Sequence, residues 1–341
     1  MKRLFIALAV LASAISLSSC EEIIEFNGKY DGEKLVLFSC ANPDASVFTV
    51  SLSRSRFFLD DSQDERPYDI TGGKVTLTVD GKTVNMTEDS RMPGTFRTDL
   101  VPKVGSRVLL NATADGLAPV SAETVVPARV RFTVVPEEPK VVDDSEWGIR
   151  VERHFRITIH DEADERNYYR FSVVKDGTDD PYFTPGKDDE TQEGSMLYIP
   201  TYLMTNDVAF MRSGDFDAVV DVIEGESVYF ISGLYDDSFF NGRDYTFDAW
   251  IEDYIWKYEP SYGGGHESEE PREIDPYDIS GWGIEVDSVS EDLYRYQSSW
   301  DDYRNYDAGL GSIFGEPVSI HNNIRGGIGC LGALTPSLVM F

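Results

Sequence analysis

The stretch that decides the fold is residues 73–81, Gly-Lys-Val-Thr-Leu-Thr-Val-Asp-Gly. Its apolar and polar residues alternate, so Val75, Leu77 and Val79 share one face of an extended chain. Asp80-Gly81 follows directly, and Asp-Gly is a preferred two-residue turn between antiparallel strands. The stretch therefore predicts a half-buried β-strand that enters a hairpin within an antiparallel sheet.

Strand patterns of the same kind lie on both sides of this hairpin. Short runs rich in β-branched and apolar residues are separated by turn residues, as expected for an all-β domain. This arrangement resembles the Ig-like or transthyretin-like β-sandwiches of bacterial surface proteins, and it predicts an N-terminal β-sandwich over residues 31–137. The runs outside the hairpin are 34–39, 47–52, 94–97, 106–112 and 120–126.

The second half of the chain is also rich in strand patterns. Residues 138–146 carry proline and several acidic residues, which predicts a linker. Residues 147–341 then predict a β-rich C-terminal domain, in which residues 155–159 and 168–174 alternate. The fold class predicted from the sequence is mainly β.

One short helix is predicted near residue 290. Ser288 and Glu291 have the spacing of a capping box, in which a serine and a glutamate satisfy the first backbone N–H groups of a helix. Apolar residues then recur at intervals of three and four, which predicts that one face of the helix is buried. These residues are Leu293, Tyr296, Trp300 and Tyr303.

The first twenty residues predict export and lipidation. Lys2 and Arg3 precede an apolar run, residues 4–17, that is too short to span a bilayer. The following Leu-Ser-Ser-Cys resembles the lipobox of bacterial lipoproteins. This resemblance implies a signal peptide over residues 1–19, acylation of Cys20 and a lipidated tether over residues 20–30. An ordinary signal peptide with an incidental cysteine is the alternative.

Acidic residues dominate the composition. The formal charge is −31, and removal of the signal peptide with Lys2 and Arg3 would change it to −33. This field would repel nucleic acid, so no nucleic-acid partner is expected. An acidic cluster directly follows Cys20, which resembles the export signal of surface lipoproteins. We therefore expect the outer membrane, on the cell-surface side, and anchoring through the N-terminal lipid. A solvated tether that happens to be acidic, without an export role, is the alternative.

The most aromatic stretch of the chain is residues 245–258. Alternation places Tyr245, Phe247 and Ala249 on one face of a strand and a second aromatic set on the other face. That second set could form a platform for a sugar or another apolar ligand, although aromatic residues are also ordinary strand formers and core fillers. The candidate ligand-binding residues are Trp250, Tyr254, Trp256 and Tyr258.

The other chemistry-bearing residues favour structural roles. Cys40 and Cys330 could pair as a disulfide, but their apolar surroundings favour small buried thiols. His154 and His160 lie on one strand face and favour surface histidines over a metal site. Three acidic stretches lack EF-hand spacing and favour solvated loops over calcium sites. They are residues 60–65, 176–180 and 188–193.

Catalytic motifs are missing from the sequence. The chain contains no HExxH zinc-protease motif, no GxSxG nucleophile elbow and no GxxxxGK[ST] phosphate-binding loop. A pair of carboxylates could still hydrolyse a glycoside, but the abundance of acidic residues gives no pair special weight. We therefore expect no enzymatic activity, no cofactor and no metal.

Phrases in the C-terminal half resemble a known family. They are Asn167 to Phe171, Asp237 to Gly242, the predicted helix and the glycine-rich Asn323 to Ala333. In this order they resemble the Bacteroidota outer-membrane lipoproteins of domain-of-unknown-function family 4249. Cys330 and Leu331 depart from the resemblance, since a larger aliphatic and an aromatic residue are expected there.

The resemblance implies a function without catalysis. Members of this family look like accessories of TonB-dependent transporters, so we expect ligand binding or association with such a transporter during nutrient uptake. A structural or adhesive surface protein without a small-molecule ligand is the alternative, suggested by the N-terminal sandwich.

Overall fold

The computed structural model describes residues 32–56, 68–162, 165–176, 196–198, 203–210, 229–230, 234–258, 273–308 and 318–341. The predicted signal peptide and tether with Cys20 lie outside these residues. So do the acidic stretches 60–65 and 188–193 and most of 176–180. The described residues form a mainly β protein with one α-helix, as the sequence predicted. No helix among them is long and apolar enough to cross a membrane.

The strands follow one another with short connections through the first half of the chain. In chain order they are β1 Leu35–Ala41, β2 Phe48–Arg54, β3 Lys74–Val79, β4 Lys82–Asn85, β5 Thr87–Glu88, β6 Thr95–Thr98, β7 Arg107–Thr113, β8 Val120–Val125, β9 Arg131–Pro136, β10 Lys140–Asp144, β11 Gly148–His160, β12 Tyr168–Asp176, β13 Met196–Tyr198, β14 Met204–Thr205, β15 Tyr229–Phe230, β16 Leu234–Asp236, β17 Asp244–Trp256, β18 Trp282–Val289 and β19 Ile328–Met340. A 3₁₀ turn spans Val208–Phe210, and the helix α1 spans Glu291–Ala308.

These strands form three sheets. The largest has the order β13-β12-β18-β19-β1-β2-β6-β5, with β16 also paired to β12. A second sheet has the order β10-β11-β17-β14-β15, with β9 also paired to β11, and a third has the order β4-β3-β7-β8. The parallel pair β1–β19 brings an early and a late part of the chain together at the centre of the largest sheet.

The largest sheet is shared by two hydrophobic cores on its inner face. Leu37 of β1 and Leu52 of β2 pack with Leu77 and Leu110 of the third sheet, which makes the predicted N-terminal sandwich. Farther along the same sheet, residues of β12 and β18 pack against β11 and β17 of the second sheet. One continuous sheet thus runs through both of the β-rich regions that the sequence predicted.

Strand β3 and the turn that follows it have the structure that their sequence predicted. Val75, Leu77 and Val79 are buried, and both Asp80 and Gly81 have positive φ, as a type I′ turn requires. The Asp80 carboxylate also accepts hydrogen bonds from Ser106 Oγ at 2.7 Å and from the Arg107 N–H at 2.9 Å. The hairpin turn is thus tied to the start of β7.

Helix α1 packs on the outer face of the largest sheet. Its N-cap is Ser290, whose Oγ accepts a hydrogen bond from the Leu293 N–H at 3.4 Å. The capping box predicted from Ser288 is therefore wrong, because Ser288 belongs to β18 and is buried there. Leu293 contacts β19 at Gly332, where a Cβ atom would approach Leu293 Cβ to 2.8 Å. Trp300 and Tyr303, predicted on the buried face, are more than 40% exposed.

Residues 138–146, predicted as a linker, contain a strand. β10 pairs antiparallel with β11 at the edge of the second sheet, with a register shift between Val141 and Asp143. All five residues of β10 are exposed, so the segment has the polar, uncovered character of a linker although its backbone belongs to the sheet.

Candidate binding surface

The aromatic stretch forms strand β17, which pairs with β11 along its whole length. Phe247, Ala249 and Ile251 point into the second core and are buried. Trp250, Tyr254 and Trp256 lie on the opposite face, as the alternation predicted. Tyr254 and Trp256 are 42% and 43% exposed, so they are not core residues, contrary to the interpretation that their residue type favoured.

Exposed aromatic rings cluster at one end of the β11–β17 pair. The ring centroids of Tyr254 and Trp256 are 4.8 Å apart at an interplanar angle of 74°. Trp147, just before β11, is 49% exposed, and its ring lies 6.2 Å from the ring of Tyr258. The Lys257 N–H donates to the Trp147 carbonyl at 3.0 Å, which holds these two ends side by side. We call Trp147, Tyr254, Trp256 and Tyr258 the aromatic surface.

Gly148 makes room for this arrangement. It lies opposite Trp256, and a Cβ atom at Gly148 would come within 2.6 Å of Tyr254 Cζ. The Tyr254 ring therefore lies directly over the glycine, where any larger residue would displace it.

Charged residues lie next to the aromatic residues on this face of the sheet. Arg150 lies opposite Tyr254, and Glu152 lies opposite Glu252. The Lys257 ammonium is held at the strand ends by the Asp144 carboxylate at 2.5 Å and by the Ser145 carbonyl at 2.8 Å. Hydrogen-bond donors and acceptors thus stand within one or two residues of the exposed rings.

Trp250, the remaining candidate, lies farther along the same face. It stacks on His154 of β11, with centroids 5.9 Å apart and an interplanar angle of 22°. At about 3.3 Å per residue, its position is roughly 13 Å from that of Tyr254. The structure therefore brings Tyr254 and Trp256 into contact, places Tyr258 against Trp147 at the same strand ends, and leaves Trp250 at the margin.

The histidines have the structural surroundings that the sequence favoured. His154 Nε2 lies 3.0 Å from a Glu152 carboxylate oxygen, and His160 Nδ1 lies 3.0 Å from Asp244. The two rings thus have different carboxylate partners. Among the described residues, no group of three or more histidine, cysteine, aspartate or glutamate side chains could hold a metal ion.

The two cysteines are free thiols on neighbouring strands. Cys330 is buried, as predicted, whereas the residue Cys40 is exposed, although burial of its thiol raises the pKa of Cys40 to about 11. Cys330 is opposite Phe38, and Cys40 is two residues farther along β1. The alternative of a disulfide between them is not realised in this structure.

The phrase Asp237 to Gly242 has a structural role that the sequence did not reveal. The buried Asp161 carboxylate accepts hydrogen bonds from Tyr169 and from the Gly242 N–H, while the Asp237 carboxylate accepts from the Asn167 N–H at 2.8 Å. Burial raises the pKa of Asp237, and the nearby Asp161 charge adds to this effect. These polar contacts fasten the turn after β16 to the start of β12.

Trp147 and Arg150 were not among the candidates predicted from the sequence. They lie between the predicted linker, which ends at residue 146, and the first alternating segment, which begins at residue 155. The sequence feature that could have indicated them is the dipeptide Trp147-Gly148 at the start of β11. An exposed tryptophan beside a glycine at a strand end is compatible with a close approach of another side chain.

A comparison with protein families identifies the family to which the chain belongs. The family described as Domain of unknown function (DUF4249) matches residues 21–337, which is nearly the whole chain. No curated protein and no solved structure matches it. The match agrees with the family expected from the phrases around Asn167, Asp237 and Asn323. The chain therefore belongs to the DUF4249 family.

Proposed function

We propose that this protein is a lipid-anchored outer-membrane lipoprotein that binds a ligand at the aromatic surface, without catalysis, as an accessory of TonB-dependent nutrient uptake. The observation that carries the ligand-binding part is the exposed pair Tyr254 and Trp256 on the outer face of β17, with Trp147 also exposed at the adjacent strand end. Keeping such rings in water forgoes the stabilisation that their burial in a core would give.

The chemistry of the surface favours a carbohydrate. Sugar rings present apolar C–H faces that stack on indole and phenol rings, and hydroxyl groups at their edges. Arg150 supplies hydrogen-bond donors beside Tyr254, and the carboxylates of Glu152 and Glu252 supply acceptors. An apolar platform with polar groups at its margin suits a neutral sugar better than a purely apolar ligand.

The anchoring part of the proposal rests on the sequence around Cys20. Acylation there would place the binding face near the outer membrane, because burial of acyl chains is worth about 0.8 kcal/mol per methylene. The transporter part rests on what the family resemblance implies. Both parts are independent of the aromatic surface and need separate tests.

A glycan array tests the ligand. The full chain carrying Cys20→Ala would be applied to the array, and each bound oligosaccharide would then be titrated by tryptophan fluorescence. We expect Trp256→Ala to weaken binding at least tenfold, because one stacking partner is lost. Trp300→Ala is the matched control, since Trp300 is also 42% exposed but lies on helix α1. Equal losses in the two variants would contradict the proposal.

Affinity purification tests the partner. The acylated protein would be purified from gently solubilised membranes of its own host, and co-purifying proteins identified by mass spectrometry. A stoichiometric TonB-dependent transporter is the expected result. Loss of labelling by a membrane-impermeant reagent in Cys20→Ala cells would support the predicted anchor and its surface location.

One observation favours the structural or adhesive alternative. β10 is an edge strand beside the aromatic surface, and its Val141 and Val142 are 40% and 46% exposed. An uncovered edge with apolar side chains can pair with a strand of another protein. Recovery of a matrix or host protein, without transporter and without glycan binding, would favour this function.

A further inference from the structure

Another exposed aromatic side chain lies in the turn between β16 and β17. We call residues 237–242, Asp-Ser-Phe-Phe-Asn-Gly, the Phe239 turn. Phe239 is 59% exposed, the highest value for a large apolar residue in the part of the chain that the structure describes. The next residue, Phe240, is buried and stacks against both Tyr169 and Tyr245. The turn therefore buries one aromatic ring and presents its neighbour to solvent.

Backbone hydrogen bonds hold the Phe239 turn in one conformation. The N–H groups of Phe240 and Asn241 donate to the Asp237 carbonyl oxygen at 2.8 and 2.7 Å. The Gly242 N–H donates to the Asp161 carboxylate at 2.7 Å, and its φ of +72° is one that glycine adopts without strain. The turn is thus closed on itself and tied to the end of β11.

Side chains fasten the same turn to the segment before β12. The Asn241 side-chain amide donates to the Glu165 carbonyl oxygen at 2.8 Å and to the Asp237 carboxylate at 3.0 Å. The Arg166 guanidinium donates to Ser238 Oγ at 2.9 Å. Asp237 itself is buried, so these contacts reach the interior of the protein. The backbone of Phe239 is therefore fixed, and the turn cannot fold its exposed ring back into the core.

A positive charge lies directly behind the exposed ring. The Arg243 guanidinium donates to the Phe239 carbonyl oxygen at 2.5 Å. Arg243 is exposed and forms no ion pair with any other described residue, whereas Arg166 pairs with Asp236 at 2.8 Å. In a chain with a formal charge of −31, most of the partners available to a cation are already close at hand. An unpaired arginine beside an exposed ring therefore offers its charge to another molecule.

This combination is typical of the central contacts of protein interfaces. A single exposed apolar side chain is common on protein surfaces and has no meaning alone. Phe239 differs because its backbone is already held by hydrogen bonds, so that binding through it would cost little ordering entropy. Aromatic residues and arginine are enriched where two proteins meet, and a few such residues supply most of the binding energy.

We infer that the Phe239 turn docks another protein, with Phe239 in an apolar pocket of the partner and Arg243 paired with a carboxylate at the rim of that pocket. Nucleic acid and anionic lipid do not fit, because the negative charge of the chain would repel both. The turn lies at the start of β17 and the aromatic surface at its end, about 40 Å away along a 13-residue strand. The inference therefore does not depend on sugar binding.

Site-specific photo-crosslinking tests the contact. The acylated full chain would be produced in its own host with the photoreactive residue p-benzoylphenylalanine in place of Phe239. Cells would be irradiated, and the adducts identified by mass spectrometry. The matched control carries the same residue in place of Tyr68, an aromatic residue that is 57% exposed in the first half of the chain. We expect one predominant protein adduct from position 239 that position 68 does not give.

Variants of Arg243 test the rim of the pocket. Arg243→Glu in the photoreactive chain should lower the yield of the adduct at least fivefold, because the charge is reversed, and Arg243→Lys should retain most of it. Phe239→Ala in the otherwise unaltered chain should weaken binding of the identified partner at least tenfold, measured by biolayer interferometry. Its thermal midpoint of unfolding should change by no more than about 1 °C, because the side chain is exposed.

Three results would overturn the inference. Absence of a protein adduct at position 239, or an adduct with lipid alone, would show that no protein contacts the turn. The same adducts from positions 239 and 68 would show random collisions. A predominant adduct that Arg243→Glu leaves unchanged would show that no acidic rim faces Arg243. Identification of a TonB-dependent transporter would support the proposed function as well, whereas any other single protein would support this inference alone.

Discussion

Gly329 occupies a position where no side chain fits. A Cβ atom there would lie 2.0 Å from the Leu37 carbonyl oxygen, and its φ of +127° is one that residues with a side chain rarely adopt. A Cβ atom at the nearby Gly327 would lie 2.3 Å from the Leu35 carbonyl oxygen. The glycines at positions 327 and 329 therefore allow β19 to lie directly against β1.

Gly329→Ala should lower the free energy of unfolding by about 3 kcal/mol or more, because the added methyl group forces β1 and β19 apart. Urea denaturation measures the loss. Gly105→Ala is the control: Gly105 also has a positive φ, of +79°, but nothing lies within 4 Å of its Cβ position. The control should cost only about 1–2 kcal/mol, from the left-handed backbone. Equal costs would mean that strand contact is not the reason for the glycine.

Asp287 is fully buried, and only one of its carboxylate oxygens has a partner. Oδ2 accepts hydrogen bonds from Arg170 Nε at 2.8 Å and Nη2 at 2.5 Å, while Oδ1 has none among the described residues. Burial raises the pKa of Asp287, and the Arg170 guanidinium opposes the rise only in part. The folded protein therefore holds the Asp287 proton more tightly than the unfolded chain does.

This difference has a definite sign in the pH dependence of stability. For a carboxyl group with a raised pKa in the folded state, stability declines as the pH rises from the ordinary value near 3.8 through the raised one. Asp287→Asn removes the titration, so its stability relative to the parent should improve as the pH rises above about 4. Urea titrations at several pH values measure this. Asp115→Asn, in an exposed turn, is the control, and a parallel change in both variants would contradict the assignment.

At the scale of the element, the alternating strands could be predicted from the sequence, but the exposure of their faces could not. Residues 75–79 and 245–256 both alternate, and in both the structure buries one apolar set. The second set of β17 is aromatic, which residue type alone assigned to the core. Which face is covered depends on the neighbouring sheet, and no local pattern contains that information.

Gly148→Ala tests how β11 positions the rings of β17. The methyl group would meet the Tyr254 ring, which is half-exposed and can turn away, so the free energy of unfolding should change by less than about 1 kcal/mol. Binding at the aromatic surface should weaken, because Tyr254 no longer lies beside Trp256. Near-ultraviolet circular dichroism would register the ring movement. A stable variant with an unchanged spectrum and unchanged binding would show that the glycine does not position Tyr254.

Helix α1 was predicted correctly as an element and incorrectly in its details. Leu293 is buried against Gly332, but Trp300 and Tyr303 are exposed because the helix extends past the strands that cover its first turns. A spacing of three and four residues predicts that side chains share a face, but it cannot give the length over which that face is covered.

At the scale of the whole molecule, the largest sheet contributes residues to both hydrophobic cores. All five tryptophans follow residue 146, so tryptophan fluorescence reports on the second half of the chain alone. Leu77→Ala creates a cavity in the first core and should cost about 2–5 kcal/mol. We expect the fluorescence midpoint in urea to fall together with the circular-dichroism midpoint, because β19 joins both cores. A fluorescence transition that stays in place would show independent domains.

The sequence could not predict that one sheet contributes to both cores, because the patterns used for prediction each cover only a few neighbouring residues. The pairing of Val36 with Ile328 joins residues almost three hundred positions apart, and the proline and acidic residues after Pro136 suggested a boundary. The boundary is crossed instead by the sheet itself, through β18, β19 and β1. The glycines that follow Asn323 were the local sequence feature that indicated a close approach of β19 to another backbone.

The parallel pairing of β1 with β19 also constrains the order in which the fold can form. Synthesis proceeds from the N-terminus, so the ribosome makes the first sandwich long before it makes the strand that lies against β1. Until residues 328–333 emerge, Leu37 and its neighbours lack the backbone that covers their edge. Pairing over so large a sequence separation is slow. That edge of the first sandwich therefore stays without its parallel partner until β19 has been synthesised and has paired with β1.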